Sequence, residues 1–151
     1  MKKFRYSLEK VLQYKDQVLD SQKEEYASRM RDVNQQKQRI DALNREQEEL
    51  AEKFDSAKHS GSSITDLRLF ADLTDRIGRQ IEIEQNKLHN LEELAEKQKG
   101  KMIAANVDVK KFEKLKDRKL QDYQKEVRKS DETFIEEFVM HEAAVDNMQR
   151  V

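Results

Sequence analysis

The sequence predicts an all-α protein in which two long helices form an antiparallel coiled-coil hairpin, with the second helix longer and overhanging the first. Apolar residues recur every seven positions on both sides of one short interruption at residues 59–63. Charged residues make up 40% of the chain, and proline and cysteine are absent, which is typical of coiled coils. We therefore expect one coiled-coil domain over residues 1–151: helix one at about 4–58, the turn at about 59–63 and helix two at about 64–148.

Disorder is the competing interpretation, because the mean hydropathy is -1.06. Disordered chains usually combine high net charge with few regularly spaced apolar residues. Here the net charge is only -1 and the apolar spacing is regular. The sequence therefore favours a folded rod over a disordered chain.

Helix one carries two interleaved sets of residues at the a and d positions of a heptad repeat. The first set is largely apolar: Leu12, Leu19, Tyr26, Val33, Ile40, Gln47 and Phe54. The second set is Leu8, Lys15, Gln22, Arg29, Gln36, Leu43, Leu50 and Ala57. Because the second set is polar from Lys15 to Gln36, we expect looser packing there.

The interruption has residues that end one helix and begin another. Gly61 can adopt the left-handed backbone conformation after helix one, and Ser63 with Asp66 resembles a capping box for helix two. A link this short makes the two helices antiparallel neighbours. A turn centred on Gly61 places residue i opposite about residue 122 - i, so that Phe54 lies near Arg68 and Leu12 near Lys110.

Helix two continues the heptad pattern and then changes its spacing. The seam residues are Leu67, Phe70, Thr74, Ile77, Ile81, Leu88, Leu91, Ala95, Met102, Ala105, Val109 and Phe112. From Lys116 the spacing becomes 4-4, which locally unwinds a left-handed supercoil. The C-terminal part of helix two should therefore run straighter.

The overhang of helix two is the first indication of function. Beyond the reach of helix one, its apolar residues have no predicted intramolecular partner: Leu120, Tyr123, Val127, Phe134, Ile135, Phe138, Val139 and Met148. Such a helix is frayed, self-associated or held by another protein. We favour self-association or binding of a partner over fraying.

Charge is segregated along the chain. Residues 1–15 and 107–121, which meet at the open end of the hairpin, sum to about +7, whereas residues 131–146 carry six acidic residues and no lysine or arginine. A basic patch can bind nucleic acid, but most of the aromatic residues that could contact bases lie in the heptad seam. We favour a solvated coiled-coil face and expect no nucleic acid, while an acidic protein partner stays open.

Near the turn, Ile64, Leu69 and Leu73 fall off the seam and should face outward. An exposed apolar strip of this kind is a candidate docking surface. The alternative is that these residues thicken the packing where the two helices are close.

The sequence lacks the residues of an enzyme. His59, His89 and His141 are far apart and have no metal-ligand spacing, and no phosphate-binding glycine motif occurs. We expect no catalytic residue, cofactor or metal. We also expect no secretory signal and no membrane insertion, since no run of about 18 apolar residues is present. The lack of cysteine fits the cytosol.

The opening residues, Phe4-x-Tyr6-Ser7-Leu8-Glu9-Lys10-Val11-Leu12-x-Tyr14-Lys15, followed by a proline-free coiled coil, resemble the FliJ family of flagellar type III export proteins. The resemblance implies a cytoplasmic coiled coil, at the inner face of the cell membrane at the flagellar base, similar in shape to the central stalk of rotary ATPases. It implies two partners, the hexameric flagellar export ATPase and the cytoplasmic domain of the membrane export gate. It further implies promotion of ATPase ring assembly, coupling of ATP hydrolysis to export, and a link to export chaperones.

Residue by residue, the resemblance gives two candidate surfaces. The segment Phe70-x-x-Leu73-x-x-x-Ile77 resembles the second-helix part of the gate-binding patch, with Leu73 as its best match and Leu69 beside it. By the stalk analogy, the open end and the overhang would contact the ATPase ring. The predicted contacts there are Phe4, Tyr6, Leu120, Tyr123, Val127, Phe134 and Phe138.

Three other functions are compatible with the sequence. A generic scaffold or tether would dimerise through the overhang, and a holdase chaperone would cradle unfolded clients through the strip near the turn. A nucleic-acid-binding rod would bind with strong salt dependence.

Overall fold

The computed structural model describes residues 2–150, so Met1 and Val151, which fall in the predicted domain, lie outside the described residues. Two helices, α1 (Glu9–Ser60) and α2 (Ile64–Gln149), pack against each other, and α2 is the longer. No strand occurs among the residues described. The predicted all-α fold of two long packed helices is confirmed.

The chain divides into two compact units. One unit, here the terminal unit, combines Met1–Val18 with Ala105–Val151, and the other, here the turn unit, comprises Leu19–Ala104. Each contains a segment of both helices. The single domain over residues 1–151 remains a prediction.

In the turn unit, the connection between the helices has the predicted chemistry. Gly61 has a φ of 78°, and the amide of Ser62 donates to the carbonyl of Ala57 over 3.1 Å, which is a Schellman-type helix end. The hydroxyl of Ser63 accepts a hydrogen bond from the amide of Asp66 at 3.2 Å, so Ser63 is the N-cap of α2. These bonds satisfy backbone groups that a helix end would otherwise leave unpaired.

The predicted seam is the buried face of both helices. In the turn unit its least exposed apolar residues are Leu19, Val33, Ile40, Ile81 and Ala95. Observed cross-helix pairs lie within two residues of the predicted ones: the rings of Phe54 and Phe70 stack 5.7 Å apart, and Gln36 contacts Glu84. The heptad repeat therefore predicted the buried face, and the turn centred on Gly61 predicted the register.

In the terminal unit, Leu12, Ala105 and Val109 are buried and the seam continues. Helix α1 begins at Glu9 rather than near residue 4, and residues 2–6 are not helical. Phe4 and Tyr6 both pack on α2. Residues two positions apart point to different sides of a helix, so a helix through this segment would direct one of the two rings away from α2. Glu9, at the first turn of α1, has a charge that suits the positive end of the helix dipole.

Candidate partner-binding surfaces

The non-helical N-terminal segment is anchored to α2 within the terminal unit by three aromatic side chains. The rings of Phe4 and Tyr123 are 5.5 Å apart and tilted, and the Tyr123 hydroxyl donates to the carbonyl of Lys2 at 2.8 Å. The Tyr6 side chain is buried, and its hydroxyl donates to the carbonyl of Phe112 at 3.1 Å. These contacts make Phe4 and Tyr6 part of the fold as well as candidate binding residues.

An open groove of 1080 Å³ lies between this segment and α2. Residues 2–7 form one wall, and Lys119, Asp122, Tyr123 and Glu126 form the other. The N-terminal wall carries Lys2, Lys3 and Arg5, so that side of the groove is basic. The groove is wide and solvent-exposed, which suits a protein segment better than a small molecule.

Ion pairs fasten the start of α1 to α2 beside this groove. Lys116 Nζ lies 2.8 Å from Glu9 Oε2, and Lys15 Nζ lies 3.6 Å from Asp108 Oδ2. The hydrogen bond to Glu9 raises the pKa of Lys116 above its usual value. Both pairs are partly exposed, so solvent screening limits their contribution to stability.

The predicted overhang divides into two parts in the structure. Leu120, Tyr123 and Val127 are half-buried, and the expectation that Tyr123 lacks an intramolecular partner was wrong. The reason for Tyr123 is its contact with Lys2 and Phe4, which the non-helical segment brings to α2. Tyr123 therefore faces the folded part of the terminal unit.

Residues 131–150, by contrast, are exposed at every position. Phe134 is 69% exposed and Phe138 is 56% exposed, and five further large apolar side chains are also exposed: Ile135, Val139, Met140, Val145 and Met148. Six acidic residues are interspersed among them. A helix that exposes so many large apolar side chains is typical of a binding surface.

In the turn unit, the strip near the turn is exposed only in part. Ile64 is 71% exposed and Leu69 is 57% exposed, as predicted. Leu73, expected to face outward, is half-buried, as are the seam residues Phe70 and Ile77. The contact face of α2 is wider here, because Leu73 and Thr74 are both half-buried, so Leu69 is the most accessible of the four candidate gate-binding residues.

Sequence reasoning missed two buried polar residues of the turn unit, Glu84 and Gln98. The side-chain amide of Gln36 donates to the backbone carbonyl of Glu84 at 2.9 Å and to the Glu84 carboxylate. The side-chain amide of Gln98 donates to the side-chain oxygen and the backbone carbonyl of Gln22. The heptad spacing could have identified them, because Glu84 lies seven residues after Ile77 and Gln98 lies seven residues after Leu91. They were not counted in the seam because their side chains are polar.

Glu84 has no exposed surface and is surrounded by donors. Gln80 donates to its Oε1 at 2.8 Å, Lys87 Nζ lies 3.4 Å from that oxygen, and Arg39 lies 3.6 Å from it. The hydrogen bond from Gln36 is the main cause that lowers the pKa of Glu84 below its usual 4.5, and it outweighs the opposing effect of burial. The carboxylate is therefore ionised at neutral pH.

The lowered pKa of Glu84 makes stability depend on pH in a defined direction. Because the unfolded state takes up this proton at higher pH than the folded state, the contribution of Glu84 is complete above 4.5 and is lost as the pH falls through the folded pKa. We expect Glu84→Gln to melt at lower temperature than the wild type at about pH 6, with the difference shrinking towards about pH 3. The exposed Glu82→Gln is the control; a pH-independent difference for Glu84→Gln would contradict this prediction.

The described residues contain no group of three or more histidine, cysteine or acidic side chains arranged to hold a metal ion. Neither described helix has a stretch apolar enough to cross a bilayer.

Comparison with the family of the flagellar FliJ protein gives a match over residues 4–147. The chain belongs to the FliJ family. The match begins at Phe4, the first residue of the N-terminal motif, and includes Phe134 and Phe138.

FliJ proteins are non-catalytic components of flagellar protein export, so this chain has a role related to that export. Membership also implies association with the export apparatus. Comparison with curated proteins gave no match, and neither did comparison with solved structures.

Proposed function

We propose that this FliJ family member is a non-enzymatic coupling component that binds the hexameric export ATPase through its terminal unit and the cytoplasmic domain of the export gate through its turn unit. In this role it promotes assembly of the ATPase ring and couples ATP hydrolysis to export. It acts in the cytoplasm, at the inner face of the membrane at the flagellar base, and takes part in the escort of export chaperones.

The observation that carries the ATPase proposal is the exposed apolar face of residues 131–150. Phe134 and Phe138 are one helical turn apart, and both rings are more than half exposed. Aromatic side chains of this kind dominate the energy of protein interfaces when a partner buries them. We assign Phe134 and Phe138 as the anchors of the ATPase contact.

The remaining candidate ATPase contacts have a supporting role in this proposal. Phe4, Tyr6 and Tyr123 hold the N-terminal segment on α2, and Leu120 and Val127 are half-buried on the same helix. They keep the basic wall of the groove in place. An acidic segment of the ATPase would complement the charge of that wall.

A pull-down from flagellated cells with the intact chain tests the proposed ATPase contact. We expect recovery of the hexameric export ATPase. Recovery of the chain alone, with a dimer in sedimentation, would instead support a scaffold or tether. Suppression of client aggregation without ATPase recovery would support a holdase.

For the gate, Leu69 is the residue that we expect to matter most. Leu69→Ser should weaken binding of the cytoplasmic gate domain about tenfold, because an exposed side chain of this size contributes about 1–2 kcal/mol when a partner buries it. Calorimetric titration of the gate domain measures this change. Ile83→Ser, which alters a side chain that is 49% exposed elsewhere in the turn unit, is the control. Equal affinities for Leu69→Ser and the wild type would remove Leu69 from the proposed surface.

A further inference from the structure

Two hydrogen-bonded polar layers lie in the seam of the turn unit. Gln22 pairs with Gln98 in one layer, and Gln36 pairs with Glu84 in the other. The layers are fourteen residues apart in both helices, which is two heptads. Both members on α2 are buried, so the hydrogen bonds across the interface replace those that water would supply.

An apolar heptad seam alone distinguishes poorly between registers, because a shift by one heptad again places a and d residues opposite each other. A shifted register would separate both polar pairs at once. In one direction of shift, Glu84 would lie opposite Leu43 and lose its contact with Gln36. In the other direction, Glu84 would lie opposite Arg29, and Gln36 would lie opposite Ile77. A buried carboxylate facing an apolar side chain is among the costliest arrangements in a protein interior.

We propose that the Gln22–Gln98 and Gln36–Glu84 layers fix the register in which α1 and α2 pair within the turn unit. The Gly61 turn acts at one end of the pairing only, through local hydrogen bonds at its Schellman and N-cap positions. The layers impose the register along the paired helices, away from the turn. Arg39 and Lys87 support the Glu84 layer from α1 and α2 respectively.

The fixed register gives the layers a role in the proposed coupling function. A partner that pulls on one helix can transmit the displacement to the other helix only if the two do not slide past each other. This extension rests on the proposed function, whereas the register itself is testable on the isolated chain. Failure of one is therefore distinguishable from failure of the other.

Spin-label distances test the proposal on the full chain. The sequence has no cysteine, so Ala42→Cys with Arg76→Cys provides two unique exposed labelling sites in the turn unit. We expect one narrow distance distribution in an otherwise wild-type background. Replacing all four layer residues with leucine should retain helix content but add a second population, displaced along the helix axis by about 10 Å, the rise of one heptad.

Matched variants separate register from stability. Gln35→Leu with Glu82→Leu makes the chemical changes of the Gln36–Glu84 layer at exposed positions and should keep the single distance. Glu84→Gln keeps a hydrogen-bonding side chain in the layer and should also keep it. A single unchanged distance in the fourfold leucine variant would overturn the proposal, because the turn would then suffice. Unfolding of that variant without a second register would also overturn it.

Discussion

Replacing Phe134 and Phe138 with serine is expected to weaken binding of the export ATPase by about 2–4 kcal/mol, or about 30- to 700-fold. The physical reason is that both rings are exposed in the free chain and would be buried only by the partner. Because neither ring packs in the hairpin seam, the helix content of the chain should stay nearly unchanged. Isothermal titration calorimetry and circular dichroism measure the two quantities.

A matched control comes from the turn unit. Ile83→Ser with Leu94→Ser also removes two exposed apolar side chains from α2, 49% and 41% exposed respectively. This control should leave ATPase affinity within about threefold of the wild type, the range expected for surface changes outside an interface. Unchanged affinity in the Phe134 and Phe138 variant would reject the anchor assignment.

Replacing Ile40 with alanine should have the largest effect on stability. Ile40 is only 7% exposed in the seam of the turn unit, and its truncation leaves a cavity that two helices fill poorly. We expect a loss of about 2–3 kcal/mol in the free energy of unfolding, which lowers Tm by about 4–12 °C. Urea unfolding and thermal melting followed by circular dichroism measure these changes.

Ile83→Ala is the control for this second variant, because the same atoms are removed at a half-exposed position of the other helix. Its free energy of unfolding should change by less than about 1 kcal/mol. Similar losses for Ile40→Ala and Ile83→Ala would mean that the heptad seam does not carry the stability of the pairing.

The fold was predictable because its main determinants are periodic or local. A residue every seven positions defines the buried face wherever it occurs, and Val33, Ile40 and Ile81 are buried as the repeat requires. The turn depends on the backbone freedom of Gly61 and on the hydroxyl of Ser63, which act over a few residues. Neither signal depends on knowing what packs against it.

The features that sequence reasoning missed depend on tertiary contact. The sequence predicted that Phe4 and Tyr6 are helical. In the structure they contact Tyr123 and Phe112 of α2 and lie before the start of α1 at Glu9. From sequence alone, Glu84 is indistinguishable from a charged surface residue. In the structure it is buried among donors from both helices. In each case the decisive partner is distant along the chain.

The candidate surfaces were predictable in part for the same reason. Phe134 and Phe138 were predicted as unpaired because helix one is too short to reach them, and they are exposed. The width of the α2 contact face near the turn was not encoded in the repeat, so the repeat left open whether Leu73 faces outward or thickens the packing, and it is half-buried. The kind of partner came from the N-terminal motif and from family membership, and not from the surface itself.

Hydrogen exchange of the intact chain, alone and with the export ATPase, tests whether residues 131–149 form the ATPase-binding surface. We predict that the ATPase slows amide exchange in residues 131–149, which are exposed at every position in the free chain. Amides near Val33 and Ile40 should change little. Unchanged exchange in residues 131–149 under saturating ATPase, or slowing confined to the turn unit, would show that the ATPase binds elsewhere or not at all.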